Sequence, residues 1–276
     1  MAEFHNKTRQ SQSIPRKLFR EGKFYLLPVY YLLLTSDLAR EGIENSGSYR
    51  FADHIYGNQP KGKFVIGKII DAVLLNLKSA QSLRARYIHA KEEIHHLIHN
   101  IGHSDHIDIL AVPCGLAREL FEVAHELKYS AHPLYERIRW HGIDLDTELI
   151  ETLMRKKNED KHLMHFWQGD AFDQKTYRKR RNYDMIISTG FTEFLQDDEA
   201  VRFYKTIHEN LKSGGTFFTS GMTPHKLSEY LMRNIAELHA RYRSEDVLRS
   251  MAQQAGFKNI HTYRNQLQTI LIGIKD

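Results

Sequence analysis

The chain has 276 residues, enough to bury the core of one large domain or of a medium domain with a smaller appendage. Its single cysteine, Cys114, excludes an internal disulfide framework and a cysteine-based zinc site. The formal net charge of +5 is modest for this length, and the basic run at residues 178–181 lacks the interleaved aromatic residues of a nucleic-acid stacking platform. We therefore do not expect nucleic acid as a partner.

The first residues show no charged segment followed by an apolar run and a small-residue cleavage site, so we expect a cytoplasmic protein. The longest apolar run, residues 24–34, is shorter than the roughly 20 residues that cross a bilayer, and it contains Pro28. The sequence thus predicts no transmembrane segment. We interpret the run as a buried helix, with a lipid-contacting surface as the alternative.

Helical patterning dominates residues 1–100. Breaks that contain Gly, Ser or Asn fall at residues 44–48 and 57–62, and residues 63–100 predict two further helices. The segment 47–60 is rich in aromatic and hydrogen-bonding residues, which suits either a lid over a cleft or an ordinary connection between helices. We predict that residues 1–100 form a helical cap facing the substrate and that residues 101–276 form the cofactor domain.

From residue 107 onward, seven short apolar runs alternate with helical patterns, which predicts an α/β fold built from βαβ units. The runs are residues 107–112, 140–145, 163–168, 183–188, 216–220, 259–264 and 267–274. Only two residues separate the last two runs, too few for a parallel crossover, so they must form an antiparallel hairpin. The predicted fold is a Rossmann-like, mostly parallel seven-stranded sheet with a C-terminal antiparallel hairpin, preceded by an N-terminal helical segment.

The turn after the first strand contains Pro113, Cys114 and Gly115. It is not the three-glycine dinucleotide fingerprint, because Pro113 has no N–H for a pyrophosphate and only Gly115 lets the backbone approach a ligand closely. This turn disfavours NAD and FAD. A nucleoside without phosphates needs a carboxylate for its ribose and an acceptor for its adenine amino group, both at strand ends. Asp144 ends the second strand and Asp170 follows the third, although aspartates at such positions also cap helices.

With these features, residues 107–276 resemble the class I S-adenosylmethionine-dependent methyltransferases, and above all a bacterial branch with an Ala-x-Pro-Cys-Gly first turn. The resemblance implies S-adenosylmethionine as cofactor. Gly115 and its neighbours would face the methionine part, Asp144 the ribose, and Asp170 with the next two residues the adenine. The implied cofactor-binding residues are Ala111, Pro113, Cys114, Gly115, Arg118, Asp144, Leu145, Asp170, Ala171, Phe172, Ser188, Thr189 and Gly190.

One position departs from the family pattern. Ala111 stands where the family usually has an acidic residue that helps to hold the methionine amino group. Asp108 lies three residues away on the same strand and therefore points to the opposite face, where it cannot substitute. We expect other groups to hold the methionine end, for example from the N-terminal segment.

The sequence predicts a methyltransferase that acts on a small molecule. A sulfonium is already an activated electrophile, so the protein mainly positions the reactants and excludes water. Candidate catalytic residues are Tyr49, His54 and Tyr56, with His225 and Glu193 as further candidate bases. Candidate substrate-binding residues are Arg86, Tyr87, Phe191 and Glu193. Each of these side chains could instead serve packing alone.

Three alternatives stay open. The enzyme could transfer an aminocarboxypropyl group or cyclise its cofactor, and either reaction releases methylthioadenosine. The chain could be a non-catalytic S-adenosylmethionine-binding module, or it could modify RNA. His95, His99 and His103 recur every four residues, yet no acidic or cysteine partner completes a metal set, so we assign no metal. The sequence predicts no particular oligomeric state.

Overall fold

The computed structural model describes residues 13–45, 49–101, 106–156, 162–179, 182–235, 239–264 and 268–276. The chain forms two compact units. The first consists of Met1–Ala85 and Thr223–Ala240, and the second of Arg86–Met222 and Arg241–Asp276. The division at residue 100 into a substrate-facing cap and a cofactor domain remains a prediction.

In the described residues, the helices and strands follow one another with four short 3-10 turns between them. Their order is α1 (Ser13–Arg20), α2 (Leu27–Leu33), α3 (Asp37–Glu44), α4 (Tyr49–Gly57), α5 (Phe64–Leu75), α6 (Lys78–Asn100), β1 (Ile107–Ala111), α7 (Arg118–Tyr129), β2 (Ile138–Asp144), α8 (Thr147–Lys156), β3 (Met164–Gln168), β4 (Tyr183–Thr189), α9 (Asp197–Asn210), β5 (Leu211–Met222), α10 (Lys226–Asn234), α11 (Glu245–Gln254), β6 (Asn259–Arg264) and β7 (Gln268–Ile274). The 3-10 turns are Phe24–Leu26, Tyr135–Arg137, Thr176–Lys179 and Thr192–Phe194.

The first unit is helical and contains a buried carboxylate. Asp71 of α5 is fully buried, and a buried charge requires hydrogen-bond partners. Its donors are the Ser36 hydroxyl and the backbone N–H groups of Leu38 (3.3 Å), Lys61 (2.8 Å) and Gly62 (2.7 Å). Asp71 thereby joins α5 to the start of α3 and to the loop that follows α4.

Most predictions for the first hundred residues are confirmed at the level of elements. Residues 63–100 form the two expected helices, α5 and α6, and the expected break at 57–62 separates α4 from α5. Residues 46–48, which belong to the other predicted break, lie outside the described residues. Residues 49–57 of the segment 47–60 form α4, so most of the segment is a helix and not a connection between helices. Its role as a lid remains a prediction.

The apolar run at residues 24–34 is not the buried helix that we predicted. Leu26 and Tyr30 are buried in the core of the first unit. The other aromatic and aliphatic side chains include five exposed ones: Phe24 (61%), Tyr25 (58%), Val29 (38%), Tyr31 (60%) and Leu32 (45%). The run is apolar on every side, and its packing in the first unit covers only the side that carries Leu26 and Tyr30.

The second unit contains a seven-stranded sheet with the order β3-β2-β1-β4-β5-β7-β6. The strands pair in parallel except for β7, which is antiparallel to both β5 and β6. The predicted fold class and hairpin are therefore confirmed. The chain order reverses between β1 and β4, and open sheets bind ligands outside the carboxyl ends of the strands at such a point.

Strand β5 begins earlier than predicted. The sequence predicted a strand over residues 216–220, whereas β5 already starts at Leu211, which pairs with Tyr183. The register between β4 and β5 then shifts before Met185 pairs with Thr216. Gly214, with φ of +76°, allows the extra residues to bulge out without ending the strand.

The core of the second unit lies between the sheet and its helices. All five residues of β1 are buried, as expected for a parallel strand with both faces covered. One cluster joins α9 and α11 to the sheet through side chains that include Phe203, Ile207, Phe217 and Met251. Among the described helices, none is long and apolar enough to cross a membrane.

Candidate functional site

The turn after β1 closes over the carboxyl ends of two neighbouring strands. The Val112 N–H donates to a carbonyl of β4 (2.9 Å) and the Cys114 N–H to a carbonyl of β2 (2.8 Å). Gly115 adopts φ of +49°, which glycine accepts without strain, and its N–H donates to Asp144 Oδ2 at 3.0 Å. The glycine turn and the carboxylate at the end of β2 are thus directly bonded at one edge of the sheet.

The two aspartates predicted to hold the nucleoside differ in their local bonds. The residue that caps α8 is Asp146, whose side chain accepts a 3.0 Å hydrogen bond from the backbone of that helix. Asp144 is therefore not the helix cap, and its Oδ1 instead accepts the Asp146 N–H (3.1 Å). Asp170 is exposed and accepts the Phe172 N–H (2.9 Å) in the turn after β3. Asp144 pairs with Gln168 across β2 and β3, so both aspartates lie at the same edge as Gly115.

Aromatic side chains gather next to Asp170. The Phe172 ring lies edge-on to Phe191, with centroids 6.0 Å apart, and 5.8 Å from Phe203. The guanidinium carbon of Arg202 lies 5.0 Å from the centroid of the Phe172 ring. The structure therefore brings together Phe172, assigned from sequence to the adenine, and Phe191, assigned to the substrate.

A buried ion pair lies beside the turn that follows β4. Arg86 Nη1 is 2.8 Å from Glu193 Oε1, and these side chains are 6% and 1% exposed. Gly190, with φ of +76°, passes so close that an added Cβ would lie 2.7 Å from an Arg86 nitrogen. Glu193 Oε2 is buried and has no hydrogen-bond partner among the described residues. An unsatisfied buried carboxylate oxygen is costly, which makes it a candidate ligand contact.

The loop that carries Glu193 is fixed by Arg243, which the sequence analysis missed. The Arg243 guanidinium donates to the carbonyls of Thr192 (2.6 Å) and Leu195 (2.7 Å) and to the Asp197 carboxylate (2.9 Å). These partners are 46 to 51 residues away along the chain. No local pattern around Arg243 could have identified this role.

Glu119 is the second residue that the sequence analysis missed. It lies in the first turn of α7, is only 9% exposed, and belongs to the buried stripe that continues with Val123. Burial raises the pKa of its carboxyl group to about 7, against the opposing effects of its own backbone N–H and of Arg86. Burial, with the Asp144 and Glu119 carboxylates, raises the pKa of the Cys114 thiol well above its usual range. The sequence did contain an indication of this buried carboxyl group, because Glu119 occupies a position on the apolar stripe of α7.

Arg118 and Tyr87 take part in the packing of α7 against α6. Arg118 Nε lies 2.8 Å from Glu122, and its guanidinium lies 5.7 Å from the centre of the Tyr87 ring. Burial raises the pKa of the Glu122 carboxyl group, but hydrogen bonds from Tyr87, Arg118 and Lys91 outweigh it and hold the pKa at about 2. The roles of Arg118 toward the cofactor and of Tyr87 toward the substrate remain predictions.

The departure at Ala111 is not compensated from its own strand. Asp108 makes a buried contact of 2.8 Å with His141 Nε2, near the opposite end of β1 from the turn. Ala111 itself is 1% exposed. The expectation that Asp108 cannot replace an acidic residue at position 111 is therefore confirmed.

The candidate catalytic residues lie in the first unit, apart from the candidate base Glu193, which belongs to the second. Tyr49, His54 and Tyr56 are on α4, and His54 Nε2 lies 3.8 Å from the buried Asp71 carboxylate. His225 precedes α10, and its Nε2 is buried without a partner among the described residues. Catalysis by these residues remains a prediction.

The histidine pattern gives no metal centre in the part of the chain that the structure describes. No group of three or more His, Cys, Asp or Glu side chains there could hold a metal ion. His95 pairs with Glu126 at 2.9 Å. His103 lies outside the described residues, as do Arg180 and Arg181 of the basic run.

The backbone of the turn after β1 fits a phosphate-free nucleoside better than a dinucleotide. The N–H groups of Val112, Cys114, Gly115 and Ala117 already donate to acceptors within the protein, and Pro113 has none. A pyrophosphate is bound by such N–H donors. Ribose hydroxyls need an acceptor instead, and carboxylate oxygens accept several hydrogen bonds. Asp144 supplies this type of acceptor.

The comparisons with known proteins agree with this geometry. A family model described as "Putative methyltransferase" matches residues 34–270. Among curated proteins, none matches the chain. A possible exported protein from Bordetella parapertussis has a similar structure, with a TM-score of 0.76 and 19% identity over 97% of both chains.

Two methyltransferase structures are also similar. Magnesium protoporphyrin IX methyltransferase from Synechocystis PCC 6803, with bound S-adenosylhomocysteine, has a TM-score of 0.51 and 13% identity over 71% of this chain and 87% of that chain. Human N-acetylserotonin methyltransferase, in complex with S-adenosylmethionine, has a TM-score of 0.50 and 14% identity over 92% of this chain and 69% of that chain. At these identities the likeness shows the fold alone.

Proposed function

Because the chain belongs to this family of methyltransferases, we propose that it transfers a methyl group from S-adenosylmethionine to a small molecule, with the cofactor at the carboxyl ends of β1, β2 and β4. The observation that carries the proposal is the Gly115–Asp144 hydrogen bond, which joins the turn after β1 to the end of β2 next to the point where the strand order reverses. Two structural neighbours contain S-adenosylmethionine or its demethylated product.

The residues at this edge fit the parts of the cofactor. Asp144 accepts the ribose hydroxyls, and Asp170 accepts the adenine amino group beside the Phe172 ring. Gly115 keeps the backbone close to the ligand because no side chain intervenes. When bound, the cofactor supplies a methyl carbon on a positively charged sulfur. The chain's own groups therefore need only to bind, orient and exclude water.

Arg86 and Glu193 form the polar part of the acceptor site in this proposal. Their side chains are 6% and 1% exposed, so an acceptor that reaches them enters a site shielded from water. Arg86 donates to Oε1 of Glu193 and fixes the position of this side chain, while Oε2 accepts a hydrogen bond from the acceptor's hydroxyl or amino group. Such a contact orients the attacking atom and can receive its proton.

A small-molecule acceptor and a cytoplasmic location belong to the same proposal. The burial of Glu193 favours a compact acceptor, and two structural neighbours are named for small acceptors, magnesium protoporphyrin IX and N-acetylserotonin. The cytoplasmic location is supported by the absence of a disulfide framework, since Cys114 is the single cysteine of the chain.

The cofactor site is tested with Asp144→Asn. Loss of a charged acceptor costs about 1.5–3 kcal/mol, so we expect affinity for S-adenosylhomocysteine to fall about 10- to 100-fold in calorimetric titration. Asp198→Asn is the matched control, because Asp198 is an exposed aspartate in the first turn of α9. Equal affinity of Asp144→Asn and the wild type would remove the basis of the proposal.

The reaction is tested with methyl-labelled S-adenosylmethionine. The protein is incubated with the low-molecular-mass fraction or the RNA fraction of a lysate, and each is analysed by liquid chromatography. We expect label in the low-molecular-mass fraction and S-adenosylhomocysteine as co-product. Label in RNA would overturn the small-molecule acceptor, and methylthioadenosine as co-product would indicate the other sulfonium chemistry.

A further inference from the structure

Helix α5 is inverted relative to an ordinary surface helix. A surface helix normally buries an apolar stripe and exposes polar residues. In α5 the buried positions recur every four residues and include a charged one: Gly67, Asp71 and Leu75. The positions on the opposite side are apolar and exposed: Val65 (75%), Ile69 (57%) and Val73 (59%). The outer side of α5 thus has the composition of a side that meets an apolar environment.

The exposed apolar surface extends beyond this stripe. Phe64 (83%) and Ile66 (49%) enlarge it at the start of α5. Helix α2 packs against α5, and the Lys63 N–H donates to the Thr35 carbonyl just after α2 (2.8 Å). We define the apolar face as these α5 residues together with the exposed apolar residues of the neighbouring run: Phe24, Tyr25, Val29, Tyr31 and Leu32.

Charge decides which partner suits the apolar face. Lys61, Lys63 and Lys68 are exposed, and residues 61–70 contain no acidic residue. In a two-fold dimer the same patch meets itself, which would gather the lysines of both copies at one interface. An anionic bilayer provides hydrocarbon for the apolar side chains and negative headgroups for the lysines. Tyrosines such as Tyr25 and Tyr31 suit its boundary, since each has an apolar ring and a polar tip.

We propose that the apolar face binds the surface of an anionic phospholipid bilayer, with α5 lying in the plane of the interface. The stripe of Val65, Ile69 and Val73 inserts among the acyl chains near the headgroups, and the three lysines contact the headgroups. This binding is peripheral. It is independent of the proposed methyl transfer, because it uses only residues of the first unit.

The test is co-sedimentation of the full chain with vesicles. One set contains phosphatidylcholine alone, and the other contains phosphatidylcholine with phosphatidylserine. We expect binding to the anionic vesicles to be on the order of 100-fold tighter, because three lysines contact them. Two variants should each weaken binding at least about tenfold: Val65→Asp with Ile69→Asp, and Lys63→Glu with Lys68→Glu.

The matched control is Tyr129→Asp, which places the same charge on an apolar residue that is 89% exposed on α7. It should bind like the wild type, and circular dichroism checks that all variants are folded. No binding, equal binding to both vesicle types, or equal loss in the control would overturn the proposal. A wild-type dimer that Val65→Asp with Ile69→Asp dissociates, without vesicle binding, would assign the face to a second copy and also overturn it.

Discussion

The Glu119 carboxyl group makes stability depend on pH in an unusual direction. Burial raises its pKa from the ordinary value of 4.5 to about 7, so the folded chain binds this proton more tightly than the unfolded chain does. Its contribution to stability is present below about pH 4.5 and is lost as the pH rises through about 7. Glu119→Gln should therefore raise the unfolding free energy relative to wild type by up to about 3 kcal/mol at about pH 8, and little at about pH 4.5. Urea unfolding at both pH values measures this difference.

The control for this prediction is Glu122→Gln, one turn further along α7. The Glu122 pKa is lowered to about 2, so its contribution is present above about pH 4.5 and is lost only as the pH falls toward 2. Between about pH 5 and 8 this variant should change stability by a nearly constant amount, since the Glu122 charge is only the smallest of the effects on the Glu119 pKa. The role assigned to Glu119 fails if Glu119→Gln keeps the wild-type pH dependence over that range.

At the scale of single residues, the sequence revealed some members of the candidate site but not the contacts between them. Asp144, Asp170 and Gly115 were identifiable because each lies at or just after the end of a strand, and parallel strands end at one edge of a sheet. The contact between Arg86 and Glu193 was not, because 107 residues separate them and only tertiary packing brings them together. The sequence predicts Arg86 and Glu193 as separate substrate contacts and gives no indication that they pair.

The turn after β4 is the element in which conformation and binding are most closely linked. Gly190→Ala places a side chain at φ of +76°, which costs roughly 1–2 kcal/mol, and its Cβ would also lie 2.7 Å from Arg86. We expect lower stability together with weaker binding of S-adenosylhomocysteine, because Gly190 is one of the residues assigned to the cofactor and the turn that carries it must shift away from Arg86. Urea unfolding and calorimetry measure the two effects.

Gly214→Ala separates these two effects. Gly214 also has φ of +76°, but nothing lies within 4 Å of an added Cβ. It should lose similar stability from the backbone conformation and keep the wild-type affinity. If both variants lose affinity equally, the approach of Gly190 to Arg86 has no role in binding.

Among the elements, the periodicity of apolar residues predicted the type and order of helices and strands correctly, but it predicted less well which of their side chains are buried. The seven strands, the closing hairpin and the helices α5 and α6 follow from apolar spacing and turn residues. The apolar run at residues 24–34 shows where this reasoning ends, because an all-apolar run does not indicate which side will be covered. The early start of β5 was missed because a Gly-Gly pair predicts a turn, whereas here it forms a bulge inside a strand.

For the whole molecule, ligand binding is linked to folding, and this linkage distinguishes a nucleoside site from a dinucleotide site. A ligand at 100 times its dissociation constant stabilises the native state by about 2.7 kcal/mol. For a chain of this size, S-adenosylhomocysteine at that excess should raise the melting temperature by roughly 5–10 °C. NAD carries the same adenosine but adds a pyrophosphate, and the turn after β1 already uses the N–H groups of Val112, Cys114, Gly115 and Ala117 internally.

We therefore expect NAD at the same concentration to leave the melting temperature unchanged. The control is Asp144→Asn, whose melting temperature is measured with and without S-adenosylhomocysteine. It tests whether the shift in melting temperature comes from binding at the carboxyl ends of the strands. Its own melting temperature sets the baseline, and the shift should shrink because the ribose acceptor has lost its charge. A shift with NAD as large as that with S-adenosylhomocysteine would mean that the site accepts phosphates, and the turn would then have to open its internal hydrogen bonds on binding.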